Sequence, residues 1–316
     1  MVASGFGLDF GGTKLAAATL LPGEAQWHRY QRTVSAPGTD RAANWATMQA
    51  LAGELLQGQT PAAIGVSFGG PVDAAAGVAQ LSHHVPGWEN VPLKQWLEAA
   101  WDAPTQIDND ANAAALGEHR LGAARGCNSA LYITVSTGIG SGWILNGRLW
   151  HGANGVAGEI GHAAIDPSGP SCLCGKCGCL ERLASGPYIA QDVRAELERD
   201  PQAGPLLRQL AGDGLAALTA QTVSQAAAGG DPLAQQALDR AAWALGTGIG
   251  NAANLLNPEA VVLGGGLTRA GDRFWAQVRQ QARATTLPEV GVAIEPAALG
   301  DAAPLWGAAM LAREGT

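Results

Sequence analysis

The sequence predicts an α/β protein made of two related halves, and three observations predict it. Short apolar runs ending in glycine turns alternate with longer runs of helical period, the pattern of strands and helices packed in layers. Residues 6–20 and 131–145 both read as strand, glycine turn, strand, so one pattern occurs twice. The 316 residues, 47% hydrophobic, suffice for one large or two ordinary domains with a substantial core.

Residues 4–20 open the chain as a hairpin whose turn, Gly11-Gly12-Thr13-Lys14, follows Asp9 and Phe10. Bare amide groups in such a turn can cradle phosphate oxygens, with Thr13 adding a hydroxyl and Lys14 a charge. The run is neither a Walker loop nor a GxGxxG fingerprint. Asp9-Phe10-Gly11 also differs in context from the kinase motif of the same letters, because the catalytic loop that must precede it has no room. Taken alone, a Gly-Gly hairpin is as consistent with an ordinary turn.

Asn44–Gln57 has apolar residues at helical spacing, and Ala63–Phe68 is a short buried strand running into Gly69-Gly70-Pro71-Val72-Asp73, where a backbone can approach a ligand closely. Residues 82–93 form a loop containing Trp88, read as packing, and His83 and His84, read as surface histidines. From Gln106 to Glu118 a short strand gives way to an alanine-rich helix through Asp108-Asn109-Asp110. One of these three caps the helix; three polar residues in a row exceed what a cap requires, and active sites of α/β proteins favour this position.

Ala130–Ser136 is the clearest strand, followed by the turn Thr137-Gly138-Ile139-Gly140-Ser141-Gly142. Its match to the first hairpin suggests two turns facing one nucleotide across a cleft. Residues 185–256 are mostly helical, Asp231-Pro232 opening one long helix and Asn257-Pro258 closing it. Ala260–Leu263 is a buried strand ending in Gly264-Gly265-Gly266, bare backbone for an adenine or ribose. Val290–Ile294 makes a last strand and Ala303–Arg313 a final helix that packs back on the first domain.

Between these halves lies the stretch with the densest chemistry. Gly158-Glu159-Ile160-Gly161-His162 is followed, nine residues on, by Cys172-Leu173-Cys174-Gly175-Lys176-Cys177-Gly178-Cys179-Leu180-Glu181, holding four of the chain's five cysteines. Thiolates with one imidazole suit tetrahedral zinc, and the ligand set chosen is His162, Cys172, Cys174 and Cys179. Two other readings stand beside it: a redox pair, Cys174 with Cys177, and an all-thiolate site that includes Cys177 and leaves His162 free. Four protein ligands leave no open position, so the zinc is expected to be structural. The loop it stiffens carries Glu159 and Glu181, and the second nitrogen of His162 stays available for a hydrogen bond. Two carboxylates and an imidazole held this way can grip sugar hydroxyls.

A formal net charge of −8 argues against general affinity for nucleic acid or an anionic membrane. No signal peptide is read at the start. The longest apolar candidate, residues 241–256, is broken by three glycines and two asparagines, short of a membrane span. Clustered thiols without a secretion signal point to the cytoplasm.

These motifs together resemble the ROK family, which pairs sugar kinases with sugar-responsive repressors on the two-domain hexokinase and actin type of fold, ribonuclease H-like in each half. The resemblance covers nearly the whole chain. The family's phosphate motif matches Asp9 to Lys14, its second phosphate turn Thr137 to Gly140, its adenosine motif Gly264 to Gly266, and its most specific signature Gly161-His162 with Cys172 to Glu181.

The resemblance implies an ATP-dependent hexose kinase with a smaller N-terminal domain of residues 1–112, joined by a helix of about 301–316, and a larger domain of 113–300. Asn109, Asp110, Glu159, His162 and Glu181 would contact the sugar, with Gly70 lending backbone, and Asp110 would be the base. Gly11, Gly12, Thr13, Lys14, Thr137, Gly138, Gly140, Gly264, Gly265 and Gly266 would hold ATP, and Asp9 would hold Mg2+ through water. Domain closure on the sugar would exclude water and so prevent hydrolysis of ATP. Glucose is the expected substrate, with N-acetylmannosamine, N-acetylglucosamine, allose and fructose as alternatives; Pro71, where similar N-acetylmannosamine kinases can carry arginine, tilts the expectation toward glucose. A homodimer or homotetramer is implied. A repressor would need a helix-turn-helix ahead of Asp9, for which residues 1–8 leave no room, and a sugar binder without catalysis would not need Asp110 and both phosphate turns.

Overall fold

The computed structural model describes residues 5–21, 23–36, 38–212 and 214–314. Ser4, expected to open the first hairpin, and the last two residues of the expected closing segment lie outside the described residues. The chain forms two compact units, one comprising residues 1–132, 142–157 and 297–316, the other 133–141 and 158–296.

The first unit begins with strands β1 (Gly5–Phe10), β2 (Lys14–Leu20) and β3 (Arg29–Val34), helix α1 (Arg41–Leu56) and strand β4 (Ile64–Phe68). A short pair follows, β5 (Val72–Asp73) and β6 (Val78–Ala79), then α2 (Leu93–Trp101), β7 (Thr105–Asn109) and α3 (Asp110–Leu121). Strands β8 (Ala130–Val135) and β9 (Ile139–Leu145) carry the chain out of this unit and back, and β10 (Arg148–Leu149) completes the hairpin. The second unit contains α4 (Leu180–Ala184), α5 (Gly186–Arg199), α6 (Pro205–Ala211), α7 (Ala220–Ala228), α8 (Pro232–Leu256), β11 (Ala260–Gly264), α9 (Asp272–Thr285) and β12 (Ala293–Pro296). Helix α10 (Ala303–Glu314) lies in the first unit.

One sheet runs β3-β2-β1-β4-β7 and the other β10-β9-β8-β11-β12. In the first, β1, β2 and β3 are antiparallel neighbours and β1, β4 and β7 parallel ones. The second repeats the order, with β9 antiparallel to β10 and β11 parallel to β12. The doubled sequence pattern is therefore a doubled topology.

Side-chain alternation explains what each face of the first sheet carries. Phe6, Leu8 and Phe10 of β1, Leu15 and Ala17 of β2, Ile64, Val66 and Phe68 of β4 and Ile107 of β7 share a core with Met48 of α1 and Leu93 and Leu97 of α2. Trp88 sits inside this core, edge-on to Phe10 and Phe68, so it is a packing residue. The residues between them point to the opposite face, where Ala16, Ala18 and Leu20 meet Leu305, Ala309 and Met310 of α10.

On that second face α10 packs against β1, β4 and α3 at backbone distance. A Cβ on Gly65 would stand 1.8 Å from the Ala308 carbonyl oxygen, and one on Gly307 would stand 1.6 Å from that of Ala113. Glycine is the residue that allows this approach.

Local chemistry sets the helix ends. Asp40 accepts from the Ala43 N–H at 2.9 Å and starts α1 at Arg41, three residues ahead of the expected Asn44. Asp231 accepts from the Leu233 and Ala234 N–H groups and Asn257 takes the left-handed conformation that ends α8, both as expected. The last strand is displaced from 290–294 to 293–296: its pairing runs from Ala260↔Ala293 to Leu263↔Pro296, while the Val290 N–H closes a turn on Leu287. β3, α2 and α9 were not anticipated. Among the described residues no helix is long and apolar enough to cross a membrane.

Thermal melts of two alanine variants test the close contact. Gly65→Ala is expected to lose about 1–3 kcal/mol of stability by overpacking. Gly53→Ala, on α1 where an added Cβ meets nothing within 4 Å, is expected to match or exceed the parent.

Candidate active site

The first unit brings three polar side chains into one row. Asp9 on β1 is in register with Ser67 on β4, and Ser67 with Asp108 on β7. All three alternate with core residues, so the pleat turns them to the face shared with Gly7 and Gly65. They are buried at 3%, 0% and 3% exposure, and each buried oxygen needs a partner. The Ser67 hydroxyl donates to Asp9 Oδ1 at 2.8 Å. Asp108 Oδ1 accepts from the Asn109 N–H and from Asn112 Nδ2, both at 2.8 Å, and Oδ2 accepts from His151 Nε2 at 2.6 Å.

Immediately after Asp108, strand becomes helix. Asn109 is the cap of α3, its Oδ1 accepting from the Asn112 N–H at 2.9 Å, and its Nδ2 donates to Asp110 Oδ1 at 3.1 Å. Asp110 is the first residue of the helix. Burial, and secondly the negative charge of Asp9, push its carboxyl up to about 6. Asp9 is itself raised by burial, against the opposing effects of its Ser67 bond and Lys14. Two carboxyls raised by burial, one of them further raised by the charge of the other, are a ready site for a divalent cation or for a base working near neutral pH.

The turn Gly11–Lys14 joins β1 to β2 beside these groups. Gly11 and Gly12 are half-buried and Thr13 is exposed, while Lys14 Nζ donates to the Asp301 carbonyl at 2.8 Å. His84 packs over Gly12, where a Cβ would come within 2.4 Å of its ring. Gly70 is held under the Leu81 carbonyl, 2.2 Å from where its Cβ would be.

In the second unit the turns after β8 and β11 sit side by side, since these strands are neighbours. Gly265 has φ +87°, and an added Cβ would meet the Val135 carbonyl oxygen at 2.3 Å; both constraints require glycine. The Ser136 N–H bonds the Gly138 carbonyl to close the turn containing Thr137, and Gly140 follows on β9. Gly264 ends β11 and Gly266 is exposed.

Glu181, on the first turn of α4, reaches this turn directly: Oε2 accepts from the Ile139 N–H at 2.9 Å. The glycine turn and the cysteine-rich loop are thereby tied by one carboxylate. Glu159 is exposed, at the start of the single helical turn that carries His162.

The ligand atoms of His162, Cys172, Cys174 and Cys179 all lie within 4.8 Å of one another, Cys177 being exposed and outside the group. Cys174 and Cys179 sulfurs are 3.5 Å apart. His162 Nδ1 is buried with no hydrogen-bond partner among the described residues. Burial and the neighbouring thiols push the Cys179 thiol up to about 12, a cost that a cation on the sulfurs would reverse. The donor set and the orphaned nitrogen fit a tetrahedral zinc.

The sequence left Ser67 and His151 outside the candidate set and placed Asp108 in the candidate segment 108–110 without giving it a role. Ser67 could have been found from period 2, as a polar residue interrupting one face of a strand whose other face is apolar. His151 carries no such signal.

The ROK family model matches residues 5–315. The chain belongs to the ROK family. This ROK protein is 40% identical to a glucokinase of Halalkalibacterium halodurans over 79% of its own length and 76% of that protein's. It superposes with a TM-score of 0.84 on the crystal structure of a ROK hexokinase from Thermus thermophilus, 34% identical, with 97% of each chain covered. A ROK glucokinase from Streptomyces griseus, crystallised with glucose and AMPPNP, gives a TM-score of 0.83 at 32% identity, covering 98% of this ROK chain and 99% of that one. The two-sheet α/β fold is that of ROK hexokinases.

Elemental analysis of the purified protein tests the metal reading. About one zinc per chain is expected, lost in Cys172→Ser and retained in Cys177→Ser; loss in the second variant would favour the all-thiolate site.

Proposed function

We propose that the protein transfers the terminal phosphoryl group of ATP to the 6-hydroxyl of a hexose, glucose in preference to other sugars. The observation that carries this is Asp110: a half-buried carboxylate at the start of α3, beside Asn109, with its proton affinity raised to about 6. A hexose hydroxyl is a poor nucleophile until a base takes its proton. Asp110 takes that proton as the oxygen attacks the phosphorus, and ADP departs with the electrons of the broken bond.

Mg2+ would be held by Asp9 through water and would neutralise charge on the transferred group; its free oxygen and its repulsion of Asp110 fit such a cation. The glycine turns at Gly11–Lys14, Thr137–Gly140 and Gly264–Gly266 supply backbone amides and close approach for the nucleotide. The sugar contacts proposed are Asn109, Asp110, the Gly70 backbone, Glu159, His162 and Glu181, by the family resemblance. Glu181 keeps Oε1 for this while Oε2 braces the turn. A zinc held by His162, Cys172, Cys174 and Cys179 would take no part in the transfer and would fix the segment that carries Glu159, His162 and Glu181.

The preference for glucose rests on Pro71 after Gly70 and on the glucokinases among the relatives. A repressor reading has less support: the net charge of −8 opposes binding to the phosphate backbone.

A panel of glucose, N-acetylmannosamine, N-acetylglucosamine, allose and fructose, compared by kcat/KM in a coupled ADP assay, tests the substrate. Glucose is expected to rank first; another sugar at its head would replace it. Asp110→Asn is expected to lower kcat by at least about a hundredfold while glucose still binds by calorimetry. The wild-type kcat/KM is expected to fall as pH drops through about 6, because the protonated carboxyl is no longer a base. Near-normal turnover in Asp110→Asn removes Asp110 from the mechanism.

A further inference from the structure

We propose that His151 is a positioning residue for this reaction: by holding the Asp108 carboxylate, it sets the place of Asn109 and Asp110. The inference rests on Asp110 being the base, and its geometry is independent of that reading.

Asp108 is the hub. Its side chain is 4% exposed, and both oxygens are occupied. The two donors on Oδ1 belong to the segment that begins α3: the backbone N–H of Asn109 and the side chain of Asn112. The donor on Oδ2 comes from a distant part of the chain, the segment after β10, where His151 is 34% exposed and its carbonyl accepts from the Ala157 N–H at 3.0 Å. The carboxylate is thus fixed by three bonds from two directions, and among the described residues only His151 holds it from outside the helix start.

The consequence reaches the base in two steps. Asn109 receives its position from the Asp108 bond to its N–H and from its own cap on Asn112, and its Nδ2 then donates to Asp110 Oδ1. Without the His151 donor, Oδ2 would be a buried acceptor with no partner, and such groups turn to find one. Turning about the carboxylate axis breaks the Oδ1 bonds that hold the first turn of α3. An error of about 1 Å at a reacting group can cost about a hundredfold in rate. Nε2 points at Asp108, so His151 acts through that carboxylate. The carboxylate in turn favours the imidazolium, raising the His151 pKa against the opposing effect of burial, as expected of a charge-assisted bond.

The test compares two side chains of nearly equal size. His151→Gln keeps an N–H able to reach Oδ2, and His151→Met keeps the bulk without a donor. Steady-state kinetics with glucose and ATP, on variants checked by thermal melting, are expected to show His151→Met losing about tenfold or more in kcat with KM for ATP within about twofold, and His151→Gln recovering to within about threefold of wild type. Adding His151→Met to Asp108→Asn is expected to cost little more than Asp108→Asn alone, because both act on one bond. Full-rate His151→Met, equal losses in Met and Gln variants, additive losses in the double variant, or a Met variant that fails to fold each overturns the proposal. A wild-type protein that phosphorylates no sugar sinks the kinase reading instead, whereas an active enzyme indifferent to His151 sinks this one alone.

Discussion

In-register pairing of β1, β4 and β7 governs the chemistry of the first unit. Because a strand shows alternate side chains to opposite faces, seating Phe10, Phe68 and Ile107 in the core leaves Asp9, Ser67 and Asp108 no choice of side. A slip of one residue in any of these strands would exchange a core side chain for a polar one, in β1 Phe10 for Asp9. Burial then raises the proton affinity of Asp9, whose charge contributes to that of Asp110. Fold and basicity have a common origin in the pleat.

The second unit reaches its rigidity by other means. There the Glu181 carboxylate ties the glycine turn after β8 to the cysteine-rich loop. Three thiols and an imidazole converge beneath that loop. A structural cation there would transmit its constraint to Glu181 at the next helix start, two residues after Cys179, and to His162 itself, so metal and turn are mechanically one assembly.

Much of this was legible in the sequence where a local rule acts alone. The repeated strand, turn, strand pattern foretold the repeated sheet order; Asp231-Pro232 and Asn257-Pro258 bounded α8; the spacing of His162, Cys172, Cys174 and Cys179 matched the cluster that forms. What stayed hidden depends on partners distant in the chain. β3 has alternating exposure at a sheet edge and no continuous apolar run to announce it. The pairing of His151 with Asp108 joins residues 43 positions apart, and no periodicity links them. Both ends of β12 differ from the expectation because its register is dictated by β11.

The glycines that let α10 lie on β1 and β4 also bear on how the chain is made. The first sheet is written early, from Gly5 onward, yet the helix that covers its second face starts only at Ala303. Ala16, Ala18 and Leu20 must therefore wait, uncovered, while the entire second unit leaves the ribosome. Contacts of such sequence separation form slowly, and an exposed apolar face during synthesis invites association between nascent chains. The contact that completes the mature first unit is thus the last it can acquire.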